Sequence, residues 1–296
     1  MKAKAGAKRA VEDIVHGVFL FLGLVAVGFV LLITVYLVVS GLPAICEIGL
    51  AEFLFGDEWL PTASARSPEY GILPFILTSV YGTAGAIAIG VPVGVLTAVF
   101  LSKLAPRRLR RAVEPAIGLL AGIPSVVYGL VGMLLLVPAI RVAFDIPDGS
   151  GLLAAIIVLA VMILPSIIKV SMTALDAVPR EYEDASLALG ATSVETYFRV
   201  SVPAAKSGIA ASVVLGVGRA IGEAMAVMMV SGNSPNMPSL FQSVRFLTTA
   251  VAGEMAYAEG LHRQALFSIA LVLFLFIMLI NATLNFVLKR KKEGSR

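Results

Sequence analysis

The sequence "VPREYEDASLALGATSVETYFRVSVPAAKSG", residues 178–208, is a charged connection between two strongly apolar segments. Pro179 suits the first turn of a helix, and the acidic residues after it favour the positive end of the helix dipole. Gly190 can end this helix, because glycine readily adopts a left-handed conformation. A second short helix is expected from about Ser193 to a break at Pro203. The connection therefore predicts two short helices that form a rigid elbow.

The first helix of the elbow carries apolar side chains that a loop standing alone would cover poorly. They are Ala185, Leu187, Ala188 and Leu189. Apolar side chains exposed between charges indicate a groove on a partner protein. An amphipathic helix lying on the membrane surface is the alternative that the residues alone leave open.

The composition is that of an integral membrane protein. Of the 296 residues, 58% are hydrophobic and only 14% are charged, whereas a soluble domain has about 45–50% apolar and about 25% charged residues. A helix that spans a bilayer takes about 20 apolar residues, and about six stretches qualify within a single transmembrane domain over residues 1–296. They are Val18–Ser40, Leu73–Leu101, Ala116–Val137, Leu152–Met172, Ile209–Val230 and Leu266–Leu288. We expect the first to be retained, because it is too long for a signal peptide and no clear cleavage site follows it.

Basic residues alternate between the two sides of the predicted spans. Clusters precede the first span and follow the second, fourth and sixth, whereas the other connections hold only Arg66, Arg141, Arg245 and Arg263. Because lysine and arginine stay on the cytoplasmic side, both termini and the elbow are expected to be cytoplasmic. A cysteine label at Ser64 should then react from outside. The formal net charge of +4 is thus a topology signal. Nucleic-acid binding would need a basic face with aromatic residues, which the sequence lacks.

Two long connections fall on the external side, Gly41–Ile72 and Ser231–Ala265. Both mix aromatic residues, such as Trp59, with turn residues, a composition too structured for a mere linker. They either dock something outside the membrane or simply cap the helix bundle.

The fifth span contains "GVGRAIGEAMAV", residues 216–227, with two charges in an apolar run. A charged residue at the centre of a span costs at least about 2.5–3.5 kcal/mol. Four residues apart on one helix, Arg219 and Glu223 would share a face and could pair. Gly218 and Gly222 beside them would let another helix approach closely. Because charges within spans usually face a bundle interior or a water-filled path, we expect the pair to line a translocation pathway; a salt bridge that pins two helices is the alternative.

An arginine fork matches the charge and geometry of phosphate. Arg219 is therefore a candidate for a transient anion contact, with Glu223 as its resting partner. Pro124 and Pro165 interrupt the third and fourth spans, and broken helices are common where backbone lines a path. Ser125 and Tyr128 are further candidates for the path. Their alternative role is helix packing.

The sequence has no feature of an ATPase or a metal site. It lacks G-x-x-x-x-G-K-[ST], so it cannot cradle ATP phosphates by the P-loop mechanism, and energy must come from another subunit. His16 and His262 are isolated, and Cys46 is the sole cysteine. We expect no catalytic residue, cofactor or metal. An ion-driven secondary transporter and a membrane-embedded enzyme that uses Glu223 are less favoured alternatives.

The spacing within the elbow matches a known motif. Asp184-Ala185-Ser186 is followed after three residues by Gly190 and after nine more by Val200-Ser201-Val202-Pro203. This pattern resembles the EAA loop of ABC importer permeases, E-A-A-x3-G-x9-I-x-L-P, with conservative replacements at four positions. The resemblance implies the all-helical type I ABC importer permease fold, with the coupling loop at about residues 173–207.

In that family the loop supplies the coupling helix, which fits a groove on the ATPase subunit. The resemblance assigns this helix to about Glu181–Leu189. The coupling residues that it implies are Glu181, Glu183, Asp184, Ala185, Leu187, Gly190 and Pro203.

Two further runs, "AGIPSVVYGLVG" at residues 121–132 and "GVGRAIGEAMAVMMVSGN" at residues 216–233, resemble the phosphate-specific (Pst) importer and favour its PstC-type permease. The resemblance covers the first span and a core of about 71–288. It implies a PstA-like second permease, two PstB-like ATPase subunits and a PstS-like external phosphate-binding protein, in the inner membrane of a prokaryote. Ala224 departs from the threonine common in the family, which puts a substrate role for that position in doubt. A permease for sulfate or molybdate is the alternative, since Arg-x-x-x-Glu is similar there.

Overall fold

The computed structural model describes residues 2–62 and 67–293, so Ser64 and Arg66 of the topology prediction lie outside the described residues. The described chain is mostly helical, with one antiparallel pair of short strands, β1 Trp59–Leu60 and β2 Glu69–Tyr70. The helices are α1 Lys2–Ile48, α2 Leu50–Phe55, α3 Leu73–Val99, α4 Arg107–Gly122, α5 Ser125–Val131, α6 Val137–Ala143, α7 Leu152–Asp176, α8 Arg180–Ala188, α9 Ser193–Thr196, α10 Val202–Ala204, α11 Lys206–Gly222, α12 Met225–Val230, α13 Leu247–Glu254 and α14 Gly260–Glu293. Three π-helical turns complete the helical segments. The turn Phe100–Leu104 extends α3, Gly132–Leu136 joins α5 to α6, and Tyr197–Ser201 joins α9 to α10.

Over the described residues, five helical segments are long and apolar enough to cross a bilayer, and a bent helix pair raises the number to six. The five are Ile14–Ile48, Leu73–Leu104, Ser125–Ala143, Leu152–Asp176 and Gly260–Thr283. The bent pair, Ser193–Ala204 with Lys206–Gly222, turns through 72°. The prediction of about six spans agrees with this count.

The third span begins later than predicted. The expected span Ala116–Val137 is interrupted, because α4 ends at Gly122 and the helix resumes only at Ser125. Pro124 lacks an amide hydrogen and disfavours helical backbone at the residue before it, so the chain is extended at both positions. The span is therefore Ser125–Ala143, and α4 is a separate amphipathic helix. Pro165, in contrast, lies buried within an uninterrupted α7.

The elbow also differs from its prediction in one detail. Pro203 does not break the second helix but lies in its last part, which continues to Ala204 before the chain bends. Proline is tolerated at this position because it is among the first residues of α10.

The most buried helix of the bundle is α7, which packs along a glycine-lined face of α3. Added Cβ atoms at Gly90 and Gly94 would lie 2.7 and 2.8 Å from the side chains of Ile163 and Ile167, so only glycine permits this approach. At the periphery, α1 packs on α14, and Ser268 Oγ donates to the Gly41 carbonyl at 2.6 Å. Following the predicted orientation, the end with α4 and α8 to α10 is called cytoplasmic, and the end with α2, the strands and α13 is called external.

Candidate functional site

The fifth span is interrupted less than one helical turn after Arg219. The helix α11 ends at Gly222, Glu223 has extended backbone with φ −75° and ψ 126°, and α12 begins at Met225. Glu223 Oε1 accepts a hydrogen bond from the Ala226 amide at 2.9 Å, which satisfies a free donor at the start of α12. Thr248 Oγ1 of α13 donates to the Glu223 carbonyl at 2.8 Å. The interruption of the helix is thus stabilised by the Glu223 side chain and by Thr248 of α13.

The predicted pairing of Arg219 with Glu223 is wrong. The spacing of four residues gives a shared face only on a continuous helix, and the helix ends between the two residues. In the described part of the chain Arg219 pairs with no carboxylate. Its Nη1 donates to Ser166 Oγ of α7 over 3.5 Å, the outer limit of a hydrogen bond. Arg219 is therefore a half-buried cation that no carboxylate of the described residues neutralises.

The glycines beside Arg219 do not serve packing within this chain. A Cβ atom added at Gly218 or Gly222 would meet no atom within 4 Å. Gly216 makes the close contact instead, since a Cβ there would lie 3.0 Å from Ile167 Cδ1. The strip Gly218–Gly222 thus faces open space, on the side of α11 away from α7.

The break in the third span lies beside the break in the fifth. The helices that follow the two breaks, α5 and α12, pack against each other, and a Cβ at Gly129 would lie 2.8 Å from Ala226 Cα. Tyr128 donates its hydroxyl to the Leu120 carbonyl at 2.8 Å, across the break before α5. The same hydroxyl is close enough to the Arg219 guanidinium for an electrostatic interaction.

Ser125, the first residue of α5, is half-buried, and its side chain makes no hydrogen bond to the other described residues. The structure therefore brings Tyr128 and Arg219 to one region, whereas it gives Ser125 no defined partner.

The predicted coupling helix is confirmed as a helix, α8, and Gly190 follows it with φ +89°. Thr192 caps α9, with Glu195 completing a reciprocal capping box. Most of the residues predicted to couple are exposed and so accessible to a partner: Glu181, Asp184, Ala185, Leu187, Gly190 and Pro203. Glu183 differs from them, because its carboxylate points into the protein. Its Oε1 lies 2.6 Å from Lys103 Nζ and accepts from Ser201 Oγ at 2.8 Å.

The external connections form a cap around one buried carboxylate. Glu254 Oε2 accepts from Trp59 Nε1 at 3.1 Å and lies 2.9 Å from His262 Nε2, while Arg245 Nη1 binds Oε1. Burial and the Glu47 carboxylate raise the pKa of the neighbouring Tyr70 hydroxyl.

This cap was missed from the sequence, which indicated no partner for His262. Trp59 and Glu254 are 195 positions apart, and no local pattern indicates that they meet. The external connections thus pack together over the bundle, and docking of something outside the membrane stays a prediction.

Comparison with known sequences places the chain among membrane transport components. Residues 90–293 match the family described as "Binding-protein-dependent transport system inner membrane component". The probable ABC transporter permease protein YqgH of Bacillus subtilis is 42% identical over 258 residues, covering 84% of this chain and 83% of that protein. The phosphate transport system permease protein PstC of Haemophilus influenzae is 36% identical, covering 85% of each chain. PstC of Mesorhizobium japonicum is 35% identical, over 80% of this chain and 78% of that protein.

Solved structures agree on the fold at lower identity. The MetNI methionine ABC transporter in an inward-facing conformation gives a TM-score of 0.58 at 20% identity, over 74% of this chain and 96% of that chain. A bacterial alginate ABC transporter, solved with its alginate-bound periplasmic protein, gives 0.58 at 15% identity over 94% of each chain. The predicted fold, an all-helical type I ABC importer permease, is therefore confirmed, and the chain belongs to the binding-protein-dependent transport system inner membrane components, a family of multi-pass membrane permeases.

Proposed function

We propose that this permease passes inorganic phosphate inward across the cytoplasmic membrane of a prokaryote while separate ATPase subunits hydrolyse ATP. The PstC relatives support phosphate as the substrate, at 34–36% identity over most of the chain. The proposed role is transport without covalent chemistry.

The observation that carries the proposal is the unpaired cation at the break in the fifth span. An arginine in a membrane segment is costly unless it faces an aqueous path or a partner. Arg219 lies in a helix that ends three residues later, its flanking glycines face open space, and no carboxylate of the described residues neutralises it. A guanidinium fork is suited to an oxyanion that passes, because it offers two parallel donors to two oxygens. Phosphate would supply the missing charge only in transit.

Other side chains at the two breaks have supporting roles in this proposal. Tyr128 places its hydroxyl within electrostatic range of Arg219 from α5, the helix that packs on α12, and Ser125 begins α5. Glu223 acts through the backbone: by capping α12 it fixes where α11 ends, and so where Arg219 stands. This role replaces the resting ion pair that the spacing suggested.

The partners follow from the kind of transporter. ABC importers of this family work with ATPase subunits and an external binding protein. For this chain we propose a PstA-like second permease, two PstB-like ATPases and a PstS-like phosphate-binding protein. The open glycine strip Gly218–Gly222 provides a surface on which the second permease can enclose the path.

The test is phosphate uptake by the complete complex in proteoliposomes, with sulfate and molybdate as competing substrates. We expect ATP-dependent uptake of labelled phosphate that the other oxyanions do not inhibit. Arg219→Ala should abolish uptake while the complex still assembles. Arg219→Lys should restore little, because an ammonium group is a point charge without the planar fork.

Lys169 provides the matched control, since it is another cation within a span but is exposed near the cytoplasmic end of α7. Lys169→Met should leave uptake unchanged. Full uptake by assembled Arg219→Ala would show that Arg219 does not contact the substrate. Uptake of sulfate or molybdate in preference to phosphate would contradict the proposed substrate.

A further inference from the structure

A largely buried ion pair joins the coupling helix to the cytoplasmic end of the second span. The Lys103 and Glu183 side chains are only 11% and 15% exposed, with Nζ and Oε1 2.6 Å apart. Ser201 Oγ donates to the same oxygen at 2.8 Å. One carboxylate oxygen thus holds the π-helical turn after α3, the helix α8 and the π-helical turn after α9 together.

The π-helical turn after α3 also holds the end of α7, just before the coupling helix. Ser102 Oγ donates to Asp176 Oδ1 at 2.6 Å, and Arg110 of α4 binds both oxygens of that carboxylate. Ser102 and Lys103 therefore contact the chain on both sides of Pro179, where α7 gives way to α8. Turns of π-helix recur at functional positions, because the extra residue redirects side chains.

These contacts matter because of how the chain is connected. Along the backbone α8 is linked directly to α7 and, through the elbow, to α11. The second span has no such link to α8, so a displacement of α8 reaches it only through non-covalent contacts. Lys103 with Glu183 is a short, charge-assisted contact of this kind, and such contacts are stronger than neutral hydrogen bonds.

Movement of the second span would in turn reach the candidate path. Ile167 of α7 lies between Gly94 of α3 and Gly216 of α11, with close contacts to both glycines. Arg219 is the next turn of α11 beyond Gly216. The second span and the Arg219 helix thus share one tightly packed contact.

We propose that the Lys103–Glu183 ion pair transmits displacement of α8 to the second span. Glu183 is then a positioning residue within the permease rather than a contact for the ATPase. This inference rests on the proposed function, since it requires ATPases that move α8 during transport.

The experiment measures ATP hydrolysed per phosphate imported by the reconstituted complex. Glu183→Gln and Lys103→Met should each raise this ratio by roughly threefold or more, within the range that mutations along a coupling path produce. Lys103→Arg keeps the charge and should stay near wild type. Arg108→Gln is the matched control, because it removes an exposed cytoplasmic charge of α4 that takes no part in these contacts, and the ratio should not change.

A second variant guards against misfolding, since a single substitution leaves one charge buried and unpaired. The double variant Lys103→Met with Glu183→Met removes both charges and should assemble normally with the raised ratio. A wild-type ratio in the assembled double variant would overturn the proposal, as would failure of every Lys103 and Glu183 variant to assemble, which would make the pair purely structural.

The stimulation of ATP hydrolysis by the external binding protein gives an independent readout in detergent. It should fall in the same variants whatever the substrate is. If the wild-type complex imported no phosphate, the proposed function would fail, while this stimulation would still decide whether the ion pair transmits movement.

Discussion

At the scale of single residues, the end of α11 at Gly222 prevents the pairing that the four-residue spacing of Arg219 and Glu223 predicts. Two charges four positions apart pair on a continuous helix, but here the backbone leaves the helix between them. The Glu223 carboxylate then finds a nearer donor, the Ala226 amide, at 2.9 Å. In the proposed function, Arg219 is left for a substrate, and Glu223 contributes to the path by ending a helix rather than by holding a charge.

Gly190 gives a residue-scale prediction about coupling. An added Cβ at Gly190 would meet no atom within 4 Å, so the backbone φ of +89°, and not a lack of space, requires glycine. Gly190→Val should cost about 1–2 kcal/mol in this left-handed conformation and shift the turn between α8 and α9. We expect the subunit to insert normally but to bind less ATPase, measured by co-purification.

Gly190→Asn is the control for this prediction, because asparagine tolerates left-handed backbone better than other residues with a side chain. It should retain most of the ATPase. Normal ATPase binding and transport by Gly190→Val would contradict the role of this turn in coupling.

At the scale of elements, the sequence predicts helices better than it predicts their interruptions. Hydropathy located the span that begins at Leu73 and the one that begins at Leu152, because polar and turn residues bound both of them. It merged α4 with the third span and α11 with α12, since Ile123, Pro124 and Ala224 keep the composition apolar through each break. Breaks depend on backbone donors and their partners, such as Thr248 with Glu223, which composition does not report.

The external cap shows the same limit over a longer distance. Glu254 gathers partners from β1, from the loop before α13 and from α14, and each partner looks ordinary in its own segment. Arg245 also lies 5.7 Å over the ring of Phe75 at the start of the second span. The cap therefore fastens both external connections to two spans through one buried carboxylate.

Removal of this carboxylate gives an element-scale prediction about stability. Glu254→Ala should leave Arg245 as a buried charge without its partner, and breaking a buried pair in this way costs about 3–5 kcal/mol. We expect a lower unfolding temperature for the purified subunit in detergent. Glu259→Ala, five residues away at an exposed site, should leave the unfolding temperature unchanged. An equal effect of both substitutions would contradict the central role of Glu254 in the cap.

At the scale of the whole molecule, the exposed surfaces match what a membrane and partner subunits would cover. No residue is buried in the most apolar window of the first span, so lipid can surround most of α1. The glycine strip of α11 is open on another side of the bundle. On the cytoplasmic end, Leu189 is 90% exposed directly beside the coupling helix. One bundle thus has separate exposed surfaces for lipid and for the second permease and the ATPase of the proposed function.

The orientation of the bundle can be tested with the native cysteine. Cys46 is the sole cysteine in the sequence, and it lies exposed near the external end of α1. A membrane-impermeant maleimide should therefore label wild-type protein in intact spheroplasts, and Cys46→Ser should abolish the signal. The predicted orientation follows from the basic residues alone, so this label tests it independently of hydropathy.

A cysteine placed at Ser207 in the Cys46→Ser background completes the test from the other side. Ser207 is exposed at the start of α11, next to the elbow, and should react only after the membrane is permeabilised. Labelling of Ser207→Cys in intact spheroplasts would put the elbow outside, where no ATP is available to a coupling helix. Cys46 and Ser207 are on opposite ends of the bundle, with three spans between them. An inverted protein would therefore exchange the two results, whereas an even number of spans between the two sites would make both react from the same side. The pair of labels therefore checks the orientation on which the coupling role of α8 and the direction of phosphate movement past Arg219 both depend.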